Sequence, residues 1–234
     1  MGNRSAMRAG AATGPVFVVL TLLSAFIYPQ QPRIDSPAAT TIGWAHEHRV
    51  ALQVGMILGL FAAGLLLWFV CNLRNAVDRS GPEADAFGPM VFGAGIAVAI
   101  VSALAALPIA LLAFMEAQPG GITDPSIVRM LGDLNQVLFA VSSLVTGVFV
   151  LALGLSVLRG ELQLPSWIGG LSIVVAALNG VAVWVAVTFS SYHGKGWNVV
   201  AFGAFIGFLV VVLSTSVSLL RRGGAPAAAS STAR

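Results

Sequence analysis

The sequence predicts an all-α polytopic membrane protein, a bundle of six transmembrane helices with both termini on the cytoplasmic side. Hydrophobic residues make up 57% of the 234-residue chain, and charged residues only 9%. The apolar residues gather in six stretches, each near or above the roughly 20 residues with which a helix crosses about 30 Å of hydrocarbon. No segment between two stretches approaches the roughly 50 residues of an independent soluble domain.

The six stretches are continuously apolar, as in the run VFVVL over residues 16–20. A membrane barrel would alternate apolar and polar residues, so the pattern favours helices. The predicted spans are residues 12–28, 50–71, 88–115, 131–158, 167–189 and 197–220. They form one transmembrane domain over residues 1–222, and the Ala- and Ser-rich tail over residues 223–234 is predicted to be disordered.

The first span has two possible interpretations. Arg4 and Arg8 before a short apolar run also fit a secretory signal. No convincing small-x-small cleavage site follows. The nearest candidate is Ser24-Ala25-Phe26, and Phe26, Ile27 and Tyr28 continue the apolar run past it. We therefore expect an uncleaved first helix.

Proline and glycine predict local features of the later spans. Pro108 lies deep in the third span and removes one intrahelical hydrogen bond, so we expect a kink near Leu104. Two pairs of glycines four residues apart, Gly55–Gly59 and Gly203–Gly207, let helix backbones approach each other closely. We expect both pairs to pack within the bundle.

Lysine and arginine predict the orientation, because basic loops stay on the cytoplasmic side more often than they translocate. With the N-terminus inside, eight basic residues lie inside and four outside. The inner set is Arg4, Arg8, Arg74, Arg79, Arg159, Arg221, Arg222 and Arg234, and the outer set is Arg33, Arg49, Arg129 and Lys195. The strong excess of arginine over lysine is typical of a GC-rich bacterial genome, so we expect a bacterial inner membrane.

The junction between the fourth and fifth spans resembles a known family. The segment Gly147–Gly170 contains Gly154-Leu155, Arg159 and the run LPSWIG over residues 164–169. In these features it is similar to the domain-of-unknown-function family numbered four-three-eight-six, uncharacterised bacterial integral membrane proteins with about six helices. The resemblance implies the fold and supplies no activity.

Polar residues gather at the outer ends of the helices. On the fourth span a narrow stripe follows helical spacing, and its members are Arg129, Asp133, Gln136, Ala140, Ser143 and Gly147. On the second helix His46, Arg49 and Gln53 likewise share one face, at offsets of three and seven residues. The two faces predict an outward-facing ligand pocket that extends toward the deepest polar residue, Asn179. The candidate residues are His46, Arg49, Gln53, Arg129, Asp133, Gln136 and Asn179.

A structural explanation of the same residues is also open. Arg129 and Asp133 are one turn apart and can pair with each other, and Gln53 and Gln136 can link helices. His46-Glu47-His48 does not predict a metal site, because adjacent helical positions point in different directions and the HExxH spacing is absent.

Several function classes are disfavoured. Retinal needs a buried lysine, and Lys195 lies in a loop; haem needs histidines inside the helices, and the three histidines lie at helix ends. We predict no cofactor and, without a basic patch interleaved with aromatic residues, no nucleic-acid partner. Ser190 and Ser191 near His193 show no catalytic motif, so an enzyme is not favoured.

Two functions are therefore favoured. The protein binds or transports a small molecule or lipid through the outward pocket, or it scaffolds a membrane complex as an accessory subunit. Membrane lipids are its expected partners in either case. The first function predicts a cavity, and the second predicts a filled bundle with an exposed groove of small residues.

Overall fold

The computed structural model describes residues 2–29, 32, 36–78, 87–118, 120–121, 124–188 and 195–224, and helices account for most of them. The described residues form eight α-helices. These are α1 (Gly2–Ile27), α2 (Ala38–Glu47), α3 (Arg49–Asp78), α4 (Gly88–Ala105), α5 (Leu107–Glu116), α6 (Pro125–Leu158), α7 (Ser166–Thr188) and α8 (Lys195–Gly224). Six spans are long and apolar enough to cross a membrane, with α4 and α5 together forming the third. The predicted all-α polytopic bundle is confirmed.

The spanning helices pack in chain order, and the bundle closes where α1 meets α8. These two helices are antiparallel, because Gly14 contacts Ser216 on α8 while Phe17, further along α1, contacts the earlier residue Phe208. The start of α1 and the end of α8 therefore lie at the same end of the bundle. An even number of spans requires this arrangement.

The centre of the bundle is a packed apolar core. The ring of Phe208 meets the rings of Phe17 and Phe149 edge-on, at centroid distances of 6.0 and 6.3 Å. These rings come from α1, α6 and α8, and Val70 of α3 and Val98 of α4 are buried in the same cluster. Edge-to-face contacts of this kind are a favoured aromatic geometry, so they help to fix the helices relative to one another.

The third span is broken, as Pro108 predicts. Helix α4 ends at Ala105 and α5 begins at Leu107, which places Pro108 in the first turn of α5. A proline in that position is favourable, because the first turn of a helix leaves its N–H groups without intrahelical partners. The break lies at Ala106, two residues beyond the predicted kink at Leu104.

One predicted glycine pair packs as expected, and the other does so only in part. Gly55 and Gly59 face α1, where the Ser24 hydroxyl donates a 2.8 Å hydrogen bond to the Gly55 carbonyl. Gly207 lies close against α7, but the space beside Gly203 is open. The expectation for Gly203 was therefore wrong.

The second predicted span begins at Arg49, within one residue of the prediction, but the polar face predicted for it is divided between two helices. A separate helix, α2, ends at Glu47, and His48 lies between α2 and α3. His46 consequently belongs to a different helix from Arg49 and Gln53, and the assumption of one continuous face was wrong. Helix α2 packs mainly against α5 and α6.

Several helix ends lie beyond their predicted limits: α1 begins at Gly2, ten residues early, and α3 ends at Asp78, seven residues late. Helix α6 begins at Pro125, six residues before the predicted start of the fourth span. Helix α8 extends to Gly224, and the rest of the predicted tail lies outside the described residues.

Arginines and aromatic rings meet at the predicted inner end of the bundle. The guanidinium of Arg159 lies 4.8 Å from the centroid of the Phe87 ring, and that of Arg74 lies 4.7 Å from the centroid of Phe92. The Glu161 carboxylate accepts a 3.3 Å hydrogen bond from the Phe87 backbone N–H. The contacts of Phe87 link the residue before α4 to the end of α6, and the contact of Arg74 links α3 to α4.

Candidate functional site

A cavity of about 340 Å³ lies between α2 and the first three turns of α6, at the end of the bundle opposite the start of α1 and the end of α8. Its wall comes from the segment before α2, from α2 itself, from one residue of α5 and from α6. The lining residues are Pro32, Ser36, Pro37, Ala38, Thr41, Trp44, Ile109, Pro125, Val128, Arg129, Gly132, Asn135 and Gln136.

The start of α6 is fixed by a local cap. Asp124 Oδ1 accepts hydrogen bonds from the Ser126 backbone N–H at 2.8 Å and from the Ser126 hydroxyl at 2.7 Å. Both hydrogen bonds lower the pKa of Asp124 below its ordinary value, and the bond from the Ser126 hydroxyl has the larger effect. A capping aspartate followed by proline is a favourable helix start, so this cap sets where the cavity-lining turns begin.

Helical spacing decides which α6 side chains reach the cavity. Arg129, Gly132 and Gln136 follow at offsets of three and seven residues, and at 100° per residue they share one face. Asp133 lies about 40° round the helix from Arg129, on the side away from Gly132. Its side chain is exposed and does not line the cavity.

Helix α2 is held over α5 and α6 by a second apolar cluster, separate from the main core. Ala45 of α2 is fully buried in it, together with Leu52 of α3, Ala113 of α5 and Leu131 of α6. Trp44 packs against the edge of this cluster and also lines the cavity. Burial of these apolar side chains is what keeps the cavity covered by α2.

Trp44 brings a hydrogen-bond donor to the cavity wall. Its indole Nε1 is buried and has no hydrogen-bond partner among the described residues. The ring stacks at a tilt of 32° on His48, with 5.8 Å between centroids, and His48 Nδ1 lies 2.9 Å from the Trp44 carbonyl oxygen, to which its N–H tautomer donates. The indole N–H can only donate, so the partner that it lacks is an acceptor.

The floor of the cavity meets the break in the third span. Asn135 is buried, and its side-chain N–H donates a 2.9 Å hydrogen bond to the carbonyl of Ala105, the last residue of α4. The same residue therefore lines the cavity and satisfies the backbone at the break.

The structure places two of the seven predicted site residues on the cavity wall. Arg129 and Gln136 line it, and the other five do not: His46, Arg49, Gln53, Asp133 and Asn179. Within the described part of the chain, Asp133 forms no ion pair with Arg129 or Arg49. For these five residues a role in ligand binding stays a prediction.

Asn179 is buried in the bundle, away from the cavity. Its side-chain N–H donates a 2.9 Å hydrogen bond to the Val175 carbonyl one turn earlier on α7, and it packs against Gly147 of α6. The predicted extension of the pocket to this depth is not part of the observed cavity.

Sequence reasoning missed the contributions of α2 and Asn135. Thr41 and Trp44 face the cavity only because α2 folds back over α5 and α6, and a ten-residue helix gives no transmembrane signal. Asn135 carried a usable signal, since an amide inside an apolar helix must find a partner.

Comparison with known proteins adds no relative. No family model matches the chain, and no curated protein or solved structure matches it either. The resemblance of Gly147–Gly170 to the domain-of-unknown-function family therefore stays a proposal.

Proposed function

We propose that this integral membrane protein binds a small molecule or a lipid headgroup in the cavity beneath α2. The observation that carries the proposal is a polar wall with unused hydrogen-bonding capacity. Arg129 and Gln136 line it, and the buried Trp44 Nε1 lacks an acceptor among the described residues. A buried donor without a partner costs free energy, which a bound acceptor would recover.

The size of the cavity supports a small ligand. Ligand sites in proteins commonly measure about 300–1,000 Å³, and 340 Å³ lies at the lower end of that range. Such a volume suits a headgroup or a metabolite of similar size. We propose, from the distribution of lysine and arginine along the chain, that this end faces outward from a bacterial inner membrane.

The packed centre of the bundle favours binding over conduction. Phe17, Phe149 and Phe208 fill the space between α1, α6 and α8. A solute leaving the cavity toward the other end would have to separate these rings. We therefore propose a binding protein rather than a channel.

The test fills the cavity with a larger side chain and compares ligand binding by that variant with binding by a matched control variant. Gly132 lines the cavity with open space beside it, so Gly132→Phe should occupy the site without displacing a neighbour. Gly64 also has open space beside it but is exposed on α3, outside the cavity, so Gly64→Phe is the control. Native mass spectrometry of the gently purified proteins should show a bound small molecule or lipid on wild type and on Gly64→Phe, and its loss from Gly132→Phe. Equal retention by all three proteins would contradict the proposal.

An accessory role in a membrane complex is the second candidate. On α7, Gly170 and Gly180 are exposed and have open space beside them, and Ala177 is also exposed. Small residues on an outer surface let another membrane helix approach closely. If the protein is a scaffold, Gly180→Leu should dissociate a co-purifying membrane protein that wild type retains.

A further inference from the structure

We infer that the ligand of the α2 cavity is an anion bearing a phosphate group, with the headgroup of an anionic phospholipid as its source. The inference rests on the proposed function and names the chemistry of the molecule bound there.

The charge of the wall selects an anion. Arg129 is the one ionised side chain among the lining residues that the structure describes, and none of those described residues carries a carboxylate. It also forms no ion pair with an acidic side chain of the described residues. A guanidinium presents a planar set of donors that matches phosphate oxygens in pairs, which makes arginine the common residue for phosphate recognition.

The neutral groups around Arg129 add donors. The wall offers the Thr41 and Ser36 hydroxyls, the Gln136 amide and the unpartnered indole N–H of Trp44. The indole cannot accept a hydrogen bond, so its partner must carry an acceptor. A phosphate has several oxygens that accept, so it can engage Arg129 and neutral donors of the wall together.

The depth of the cavity matches the phosphate layer of a bilayer. Helix α6 has 34 residues and is therefore about 51 Å long, whereas the hydrocarbon core is about 30 Å thick. With the inner end of α6 at the membrane surface near Arg159, roughly its first 14 residues extend past the hydrocarbon. Arg129 and Gln136 lie within those residues, at the level of the headgroups.

The test measures binding of three probes to the full-length purified protein, after exchange into detergent to remove lipid. The probes are a short-chain phosphatidylglycerol, the diacylglycerol with the same chains, and inorganic phosphate. We expect phosphatidylglycerol to bind at least about tenfold more tightly than diacylglycerol, the effect of one charge-assisted interaction.

Arginine variants assign that preference to the cavity. Arg129→Gln should abolish the tenfold preference, and Arg129→Lys should keep part of it. Arg222→Gln is the matched control, since Arg222 is also an exposed arginine but lies in the last turn of α8, at the opposite end of the bundle. It should leave the preference unchanged, and melting temperatures confirm that each variant is folded. A preference that survives Arg129→Gln would overturn the inference.

The probes separate the two proposals and the two sources of phosphate. Diacylglycerol binding that equals phosphatidylglycerol binding, and that Gly132→Phe blocks, would overturn the phosphate inference and leave the proposed function standing. Failure of both lipids and of phosphate to bind, with nothing co-purifying, would overturn both. Competition by inorganic phosphate at millimolar concentration would support the phosphate chemistry and assign it to a free phosphate compound, whereas phosphatidylglycerol binding without such competition supports the lipid headgroup.

Discussion

The side-chain amide of Asn135 donates a 2.9 Å hydrogen bond to the main-chain carbonyl of Ala105, across the contact between α6 and the end of α4. Both residues are buried. A buried backbone carbonyl cannot reach water, so a helix break of this kind needs partners from neighbouring helices. Asn135 supplies one at the break before Pro108.

Removing this amide should destabilise the protein. Asn135→Leu leaves the Ala105 carbonyl without its side-chain donor, and we expect the free energy of unfolding in detergent to fall by about 1–3 kcal/mol. Asn75 is exposed on α3, so Asn75→Leu is the control and should change stability by less than about 0.5 kcal/mol. Equal effects of the two substitutions would mean that the hydrogen bond contributes nothing.

A double-mutant cycle tests whether the amide acts through the break. Pro108→Ala restores an N–H at position 108 and lets α4 and α5 join, which would offer the Ala105 carbonyl a backbone donor from Ile109. In that background Asn135→Leu should cost less than it does alone. Additive effects would show that Asn135 stabilises the protein independently of the proline.

Alkaline pH should reveal the burial of Tyr28. Burial raises the pKa of the Tyr28 phenol from 10.0 to about 12. The folded protein therefore holds the phenolic proton more tightly than the unfolded chain does. This contribution to stability is complete below pH 10 and is lost as the pH rises from about 10 to about 12.

Two variants isolate the phenol. Tyr192→Phe leaves Tyr28 as the one tyrosine of the chain, so its phenolate absorbance should titrate with a midpoint near pH 12. Tyr28→Phe should flatten the fall in unfolding free energy between pH 10 and pH 12 relative to wild type. An ordinary midpoint near pH 10 would show that the phenol is solvated.

Hydropathy and proline placement predicted the six spanning helices and the break in the third span, because both act through local chemistry. A continuous apolar run must cross the bilayer as a helix, and Pro108 must interrupt its own helix wherever the neighbours lie. Helix α2 has no comparable local signal. Its position depends on burial of Ala45 against Leu131 and Ala113, which are far away in the sequence.

The candidate site was harder to predict than the transmembrane helices. A helical stripe identifies residues that share a face, but the neighbouring helices decide which face meets the cavity. Arg129 and Gln136 lie on the lining face, whereas Asp133 lies just past its edge. The face assumed for His46 and Arg49 required an unbroken helix, and the helix ends at Glu47.

Reporter fusions test the orientation on which the proposed function depends. A reporter enzyme active only outside the cytoplasm should work when fused after Gln118 and fail when fused after Glu161, because the excess of basic residues keeps the Glu161 end inside. Both positions adjoin ends of described helices, α5 and α6. The reverse pattern would place the cavity on the cytoplasmic side.

The last prediction compares two glycines on one helix. A Cβ added at Gly207 would lie 2.7 Å from Cγ2 of Val175 on α7, whereas nothing lies within 4 Å of one added at Gly203. Gly207→Leu should therefore push α8 away from α7 and lower the free energy of unfolding by about 1–3 kcal/mol. Gly203→Leu carries the same added volume into open space, so its effect should be close to zero or stabilising, since leucine is a better helix former than glycine. Thermal unfolding of both variants in detergent measures the difference, and equal melting temperatures would mean that α7 and α8 do not approach each other at Gly207.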